Sequence, residues 1–495
     1  MQNTDLIFLR NALIALAGMA GPATSHATTP RAGVMCGTPQ RAIVKPSEPI
    51  VGQKRGLIIL AEFADRKFAI GNPRAWADSM ANAKGYSEGD YRGSVADYFH
   101  DQSRGLLSLT FDVAGPVTMP KNLAYYGEKT PIRPDAHAGE MIAEACRMAA
   151  PSVNFKDYDW DGDGEVDMVF VIYAGYGEHV SGNTSLIWPK QGTLTLSDWG
   201  KPLEIDGTVI DTFACSCELN GSSGDSPTGI GAVCHEFSHC FGLPDLYDKY
   251  GIGFGMGDWS LMDTGMYNAG GYVPAGFTAY ERWYSGWMDL IELDGPAEIR
   301  GMKPLESGGQ AYVVRNDAHP DECYILENRQ PVGWDSALPG KGLLITHVDF
   351  NASEWRFNSV NSDDRHPRYY AVAADGLRDA ETMPGDPFPY GSNTSFTDLT
   401  SPKAKLYNAA PDGRFLLGKP ISGIRQNPDG TVDFDFMSPV ASAKATAETE
   451  ATVDLYSPQG IILAKGVNPT SLKACSGAGL TIMVHRDGRR KKVIL

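Results

Sequence analysis

Residues 56–63, Gly-Leu-Ile-Ile-Leu-Ala-Glu-Phe, form a near-continuous apolar run, the pattern of a strand buried on both faces. Residues 168–173, Met-Val-Phe-Val-Ile-Tyr, repeat it. Around these runs, residues 94–100, 136–149 and 279–283 space their apolar side chains for helices. Strands alternating with helices predict a mixed α/β, or α+β, core over residues 54–290. From residue 291 the pattern shortens to alternating runs at 311–314, 323–326, 342–350 and 431–436, which predict a β-rich continuation over 291–438. Residues 439–452 are rich in Ala, Ser, Thr and Glu, as in a linker, and 453–495 alternate like a small β module that ends on Arg489-Arg490-Lys491-Lys492.

The N-terminus departs from this patterning. Arg10 precedes an apolar run from Ala12 to Ala20, and Ser25-His26-Ala27 has the small-x-small form of a cleavage site, so residues 1–27 are expected to be an export signal. The run is too short for a comfortable membrane span, so the mature protein is expected to have no transmembrane segment. Residues 28–53 are Pro-rich and aperiodic, as in a leader or pro-segment. The formal charge of −17 over 495 residues argues against nucleic acid or an anionic membrane as the main partner, because both select clustered Lys and Arg. Eight cysteines in an exported chain permit disulfides. On one helix Cys234 and Cys240 lie roughly 9 Å apart along the axis and cannot bridge, but either is free to meet Cys215 or Cys217.

The chemistry concentrates in residues 234–245, Cys-His-Glu-Phe-Ser-His-Cys-Phe-Gly-Leu-Pro-Asp. His235 and His239 share one helix face, so their imidazoles can converge on one ion. Glu236 stands beside that ion as a base for its water. Gly242 and Pro244 end the helix, and the turn returns Asp245 as a third ligand. Two imidazoles, a carboxylate and an open position are a catalytic zinc arrangement. Glu281, on the later helix, is a rival third ligand, while His347, inside a β run, reads as a packed histidine.

Upstream, Asp159, Asp161, Asp163 and Asp167 fall at positions one, three, five and nine of a loop with Gly164 at six, the spacing of an EF-hand-like calcium site. Position twelve is Phe170 where the bidentate Glu is wanted, so the loop must borrow an oxygen or bind more weakly.

Taken together, 235–248, the turn Trp259-Ser260-Leu261-Met262 and the loop 159–167 resemble the immune inhibitor A-type secreted zinc metallopeptidases, over about residues 54–440. The resemblance implies an exported endopeptidase with zinc on His235, His239 and Asp245 and with Glu236 as base. Met262 matches the Met-bearing turn that lies beneath the zinc of metzincins. The C-terminal stretch resembles sorting modules of the type IX secretion pathway of Bacteroidetes-like bacteria, which implies an outer-membrane export machinery as partner.

On that reading the substrates are proteins or peptides, and Tyr267 is a candidate for steadying the oxyanion. Cys36, in the leader, is a candidate zinc ligand that holds the precursor latent. Two other classes use the same residues: a zinc-retaining binding or adhesion protein without turnover, and a metal hydrolase of a non-peptide bond.

Overall fold

The computed structural model describes residues 46–130, 135–221, 226–251 and 253–438, with four C-terminal strands at 453–456, 462–467, 480–485 and 490–494. The expected export signal, most of the leader with Cys36, and the expected linker lie outside the described residues. Among the described residues no helix is long and apolar enough to cross a membrane.

The first apolar run becomes strand β1, Gly52–Glu62, which pairs in parallel with β2, Leu107–Thr118, and with β3, Val169–Tyr176. The sheet continues through the parallel strand Thr212–Asn220 to an antiparallel edge strand, Lys190–Thr193. Strand side chains alternate between faces, so an unbroken apolar run feeds two cores at once. Ile58, Leu60, Phe170 and Ile172 enter one core; Leu57, Ile59, Val169 and Val171 enter the other.

Helix Ala138–Ala149 covers the second face with Met141 and Ile142. Helices Pro73–Asn82, Val95–Gln102 and Gly231–Ser238 cover the first. Helix Val95–Gln102 starts where Ser94 and Asp97 satisfy each other's backbone N–H groups, a capping box.

The two faces also settle the cysteines. Cys215 and Cys217 pack in the core under Ala138–Ala149, whereas Cys234 packs in the opposite one, so the sheet stands between them. The six described cysteines form no disulfide with one another, so the bridge considered from the sequence does not form among them. Burial pushes the thiols of Cys215 and Cys217 up to about 12, which keeps them protonated.

One further departure concerns a boundary. Residues 46–53, assigned to the leader, are part of the fold: β1 opens at Gly52, the Trp287 Nε1–H donates to the Ile50 carbonyl (3.0 Å), and Pro49 sits against Gly286 where a Cβ would intrude. The β-rich half, expected as a continuation over 291–438, shares a core with the first half. One face of its five-stranded sheet contributes Val313, Ile325, Leu344 and Val348 to the core that holds Val233, Phe237 and Met262. The other face packs Val314, Leu326 and Ile345 with Val432 and Phe434 of a three-stranded sheet. The four C-terminal strands form an antiparallel sheet of their own. His347 is a packed residue, bonded to Glu322 (3.0 Å) and to the Tyr370 hydroxyl (3.0 Å).

Arg329 ties the two halves together. Wholly buried, it donates to both oxygens of Asp335 (2.7 and 2.6 Å) and to Glu327 (3.0 Å), and it reaches the carbonyls of Trp259 (3.2 Å) and Gly276 (3.0 Å). Burial opposes its charge, but the Asp335 and Glu327 carboxylates outweigh that cost. Removing one partner of such a group leaves the others buried and unpaired. Arg329→Ala is therefore expected to lower the unfolding free energy by about 3–5 kcal/mol, read from denaturant unfolding; a loss no larger than that of an exposed Arg→Ala change would contradict the role.

Candidate metal centre

Helix Gly231–Ser238 presses Phe237 edge-on against Phe111 of β2 (5.1 Å) and stacks it on Phe170 of β3 (6.0 Å). Fixing that face fixes the opposite one. A Cβ at Gly231 would meet the Met266 carbonyl at 1.8 Å, so glycine lets the segment after the Met262 turn close on the helix start. The helix tightens to a 3-10 turn at His239–Phe241, and Gly242, at φ +81°, reverses the chain. That reversal delivers Asp245.

His235 Nε2 lies 3.1 Å and His239 Nε2 3.5 Å from the same oxygen, Asp245 Oδ1. The three ligand atoms lie within 4.8 Å of one another, and all three residues are buried. Each imidazole has its other nitrogen occupied: His235 Nδ1–H donates to the Leu261 carbonyl (2.9 Å), and His239 Nδ1–H to the Leu243 carbonyl (2.7 Å). A carbonyl only accepts, so Nδ1 carries a proton in both rings, and both Nε2 atoms are directed at one point. The tied nitrogen is the support that metal-bound histidines normally have.

Electrostatics single out the same point. Burial opposes charge on His235, but the bond to Asp245 and the Glu236 and Asp245 charges overcome it and carry the imidazole up to about 9. Burial holds His239 down at about 4. For Asp245 burial works upward, yet the two imidazoles and the Asn358 amide hold it far below the usual carboxylate range. Burial pushes Glu236 up to about 7. Its Oε2 has no hydrogen-bond partner and faces His239 Nε2 at 3.8 Å. Two Nε2 atoms, one carboxylate oxygen and an unsatisfied buried carboxylate beside them fit a divalent transition metal carrying a water.

Other residues singled out in the sequence take different places. Met262 is fully buried; its N–H donates to Ser260 Oγ (2.9 Å), and its carbonyl accepts from the Leu246 N–H (2.8 Å). Glu281 stands outside the ligand cluster: one oxygen bonds Ser260 Oγ and the other caps its own helix at the Thr278 N–H (2.6 Å). It braces the Met262 turn through Ser260. Tyr267 is half-buried and turned toward His179, with ring centroids 6.2 Å apart.

The acidic loop gathers Asp159, Asp161 and Asp163. Asp167 stands outside that group, its Oδ2 accepting the Trp160 N–H (2.5 Å), and burial with its acidic neighbours raises it to about 7. Asp159 also accepts the N–H groups of Gly162 (2.7 Å) and Gly164 (2.9 Å), so the loop is partly held by its own backbone. Trp160 stacks on Phe241 at the end of the metal helix. Between this loop, the 46–51 segment and His239 opens a cavity of about 830 Å³, reaching Gln191 of the edge strand.

Sequence reasoning missed the carbonyls of Leu243 and Leu261, because a backbone oxygen has no side-chain signature. It also missed Asn358, which meets Asp245 across 113 residues. Asn358 takes a φ of +55°, a value that Asn tolerates better than most residues, but that angle is visible only in the structure.

Residues 72–288 match the family model described as immune inhibitor A peptidase M6, catalytic domain. That span contains the metal helix, the Met262 turn and the acidic loop. The chain is 28% identical over 239 residues to the pre-pro-metalloprotease PrtV of Vibrio cholerae serotype O1, which covers 43% of this chain and 26% of the relative. It is 25% identical over 233 residues to immune inhibitor A of Bacillus thuringiensis subsp. alesti, covering 40% of this chain and 33% of the relative. The chain thus spans a quarter to a third of the curated relatives it matches. Residues 72–288 are thus similar to a metallopeptidase catalytic domain.

The raised His235 pKa has a pH consequence. The imidazolium contributes stability to the metal-free protein that is full below its ordinary pKa of 6.5 and is lost as pH rises through about 9. A metal must displace the Nε2 proton, so affinity for a divalent ion is expected to rise about tenfold per pH unit between those limits. Calorimetric titration in buffers of different ionisation enthalpy should show one proton released per metal near pH 7.5; affinity independent of pH would contradict the assignment.

Proposed function

We propose that this chain is an exported zinc-dependent endopeptidase, with His235, His239 and Asp245 as the ligands and Glu236 as the general base. The single observation that carries the reading is the buried Glu236 carboxylate, whose Oε2 lacks a hydrogen-bond partner and faces the point where the two Nε2 atoms and Asp245 Oδ1 converge. A bound zinc would supply a Lewis acid, lowering the pKa of its water and polarising a peptide carbonyl.

The chain's own groups do the remaining work. The Leu243 and Leu261 carbonyls hold the Nδ1–H groups of both imidazoles, which leaves the Nε2 atoms aimed at the ion. Glu236 Oε2 takes the proton of the attacking water and later gives it to the departing amine. Burial raises its pKa from the ordinary carboxylate value, the direction wanted of a group that both takes and gives a proton. The cavity beside His239 offers room for substrate residues on one side of the scissile bond. Tyr267 is a candidate donor to the oxyanion if it swings from His179 toward the metal. A buried, unsatisfied carboxylate is costly in a protein that merely retains zinc, which favours turnover over the adhesion reading.

Export rests on the Arg10 and 12–20 pattern of the first 27 residues. Calcium on Asp159, Asp161 and Asp163, with Asp167 near, is part of the same reading: three gathered carboxylates repel one another unless a cation joins them.

Glu236→Ala leaves the ligands intact, so zinc content should stay at one per chain while hydrolysis of an unfolded protein falls by about 100- to 10,000-fold. Turnover close to the parent's in a zinc-loaded variant would remove Glu236 from the mechanism, and a parent whose hydrolysis resists chelation would remove the metal. For the loop, calcium at about 100 times its Kd should stabilise the fold by about 2.7 kcal/mol, read as a higher melting temperature that Asp161→Asn diminishes. A melting curve indifferent to millimolar calcium after stripping would count against the site.

A further inference from the structure

Asp245 carries two demands that its own loop does not meet. It must hold one oxygen between two imidazoles, and its second oxygen, equally buried, needs a donor. Asn358 meets both. Its amide Nδ2–H donates to Asp245 Oδ2, and its Oδ1 accepts the Asp245 backbone N–H (2.6 Å), a two-point clamp on a single residue. Asn358 is 1% exposed, and it lies in the β-rich half, well past the end of the matched catalytic region at residue 288.

The clamp is itself held in place. Asn358 follows helix Ala352–Arg356 and bonds back to the Trp355 carbonyl (3.1 Å) in a left-handed conformation. Three residues on, Asn361 bonds the Tyr369 carbonyl and N–H (2.7 and 3.0 Å) and the Leu246 carbonyl (2.7 Å), stapling this segment to strand Tyr369–Ala371 and to the residue after Asp245.

We infer that Asn358 is a positioning residue for the metal: it fixes which oxygen Asp245 presents, and the metal centre is complete only with the β-rich half. The inference rests on the zinc reading above. A carboxylate with a free rotamer would present either oxygen, or both, and would spend ordering entropy when the ion binds. One whose second oxygen is bonded presents Oδ1 alone, and such outer supports are commonly worth tenfold or more in metal affinity.

The test uses the full chain stripped of metal. Asn358→Gly keeps the left-handed backbone open and deletes the amide; Asn358→Ser keeps a polar side chain too short to reach both Asp245 atoms. Zinc affinity is measured by competition with a chromophoric chelator, and melting of the zinc-free protein reports whether each variant is folded. The expected result is zinc affinity about 10- to 100-fold weaker in both, at a temperature where the zinc-free variants are folded. A role confined to stability would lower the melting temperature and leave affinity in place. Affinities of folded variants within about threefold of the parent, less than 1 kcal/mol by the usual conversion, overturn the inference. A parent that binds no zinc under the same competition overturns the zinc reading instead, so the two failures are distinguishable.

Discussion

One carboxylate oxygen shared by two buried imidazoles is the constraint on which the rest of the site depends. Asp245 Oδ1 sits 3.1 and 3.5 Å from the Nε2 atoms of His235 and His239, where all three side chains are almost wholly removed from water. Such an arrangement is stable only if each remaining polar atom has a partner. The Leu261 and Leu243 carbonyls and the Asn358 amide provide those partners, and each comes from a different part of the chain. Glu236 Oε2 is the exception, and it is the atom the proposed chemistry needs.

The second layer explains why the β-rich half shares a core with the sheet. The Met262 turn must be rigid to hold the Leu261 carbonyl under His235. Ser260 braces it from Glu281, and Arg329 grips the Trp259 carbonyl from the strand His319–Arg329. Glu281 and Arg329 are charged and buried, so each requires further partners: the Thr278 N–H at the start of helix Ala279–Tyr284 for the first, Glu327 and Asp335 for the second. The cost of burying the first carboxylate propagates outward until the network reaches strands a hundred residues away.

The acidic loop and the 46–51 segment meet this network from the other end of the metal helix. Trp160 rests on Phe241, and the 46–51 segment crosses the neighbouring Trp287 and Gly286. The cavity between them therefore has walls from three places in the sequence, and ion binding in the loop would stiffen one of those walls next to His239.

The sequence by itself determined what depends on local spacing. The four-residue step from His235 to His239, the break at Gly242 and the double-faced apolar runs at 56–63 and 168–173 are short-range facts, because helix and strand periodicities act over a few residues. The zinc ligands and base proposed here, and the two central strands, were legible for that reason. Other local cues were present but indecisive: Glu281 has the composition of a ligand, and only its capping of Thr278 and its bond to Ser260 show that it is a brace. Cys215 and Cys234 could be paired on paper until the sheet separated them. What the tertiary structure alone decided is the support of the site. Asn358 on Asp245, Arg329 on Trp259 and the two carbonyls behind the imidazoles are contacts between residues far apart in the chain or through backbone atoms, and neither leaves a period or a composition for a linear reading to find.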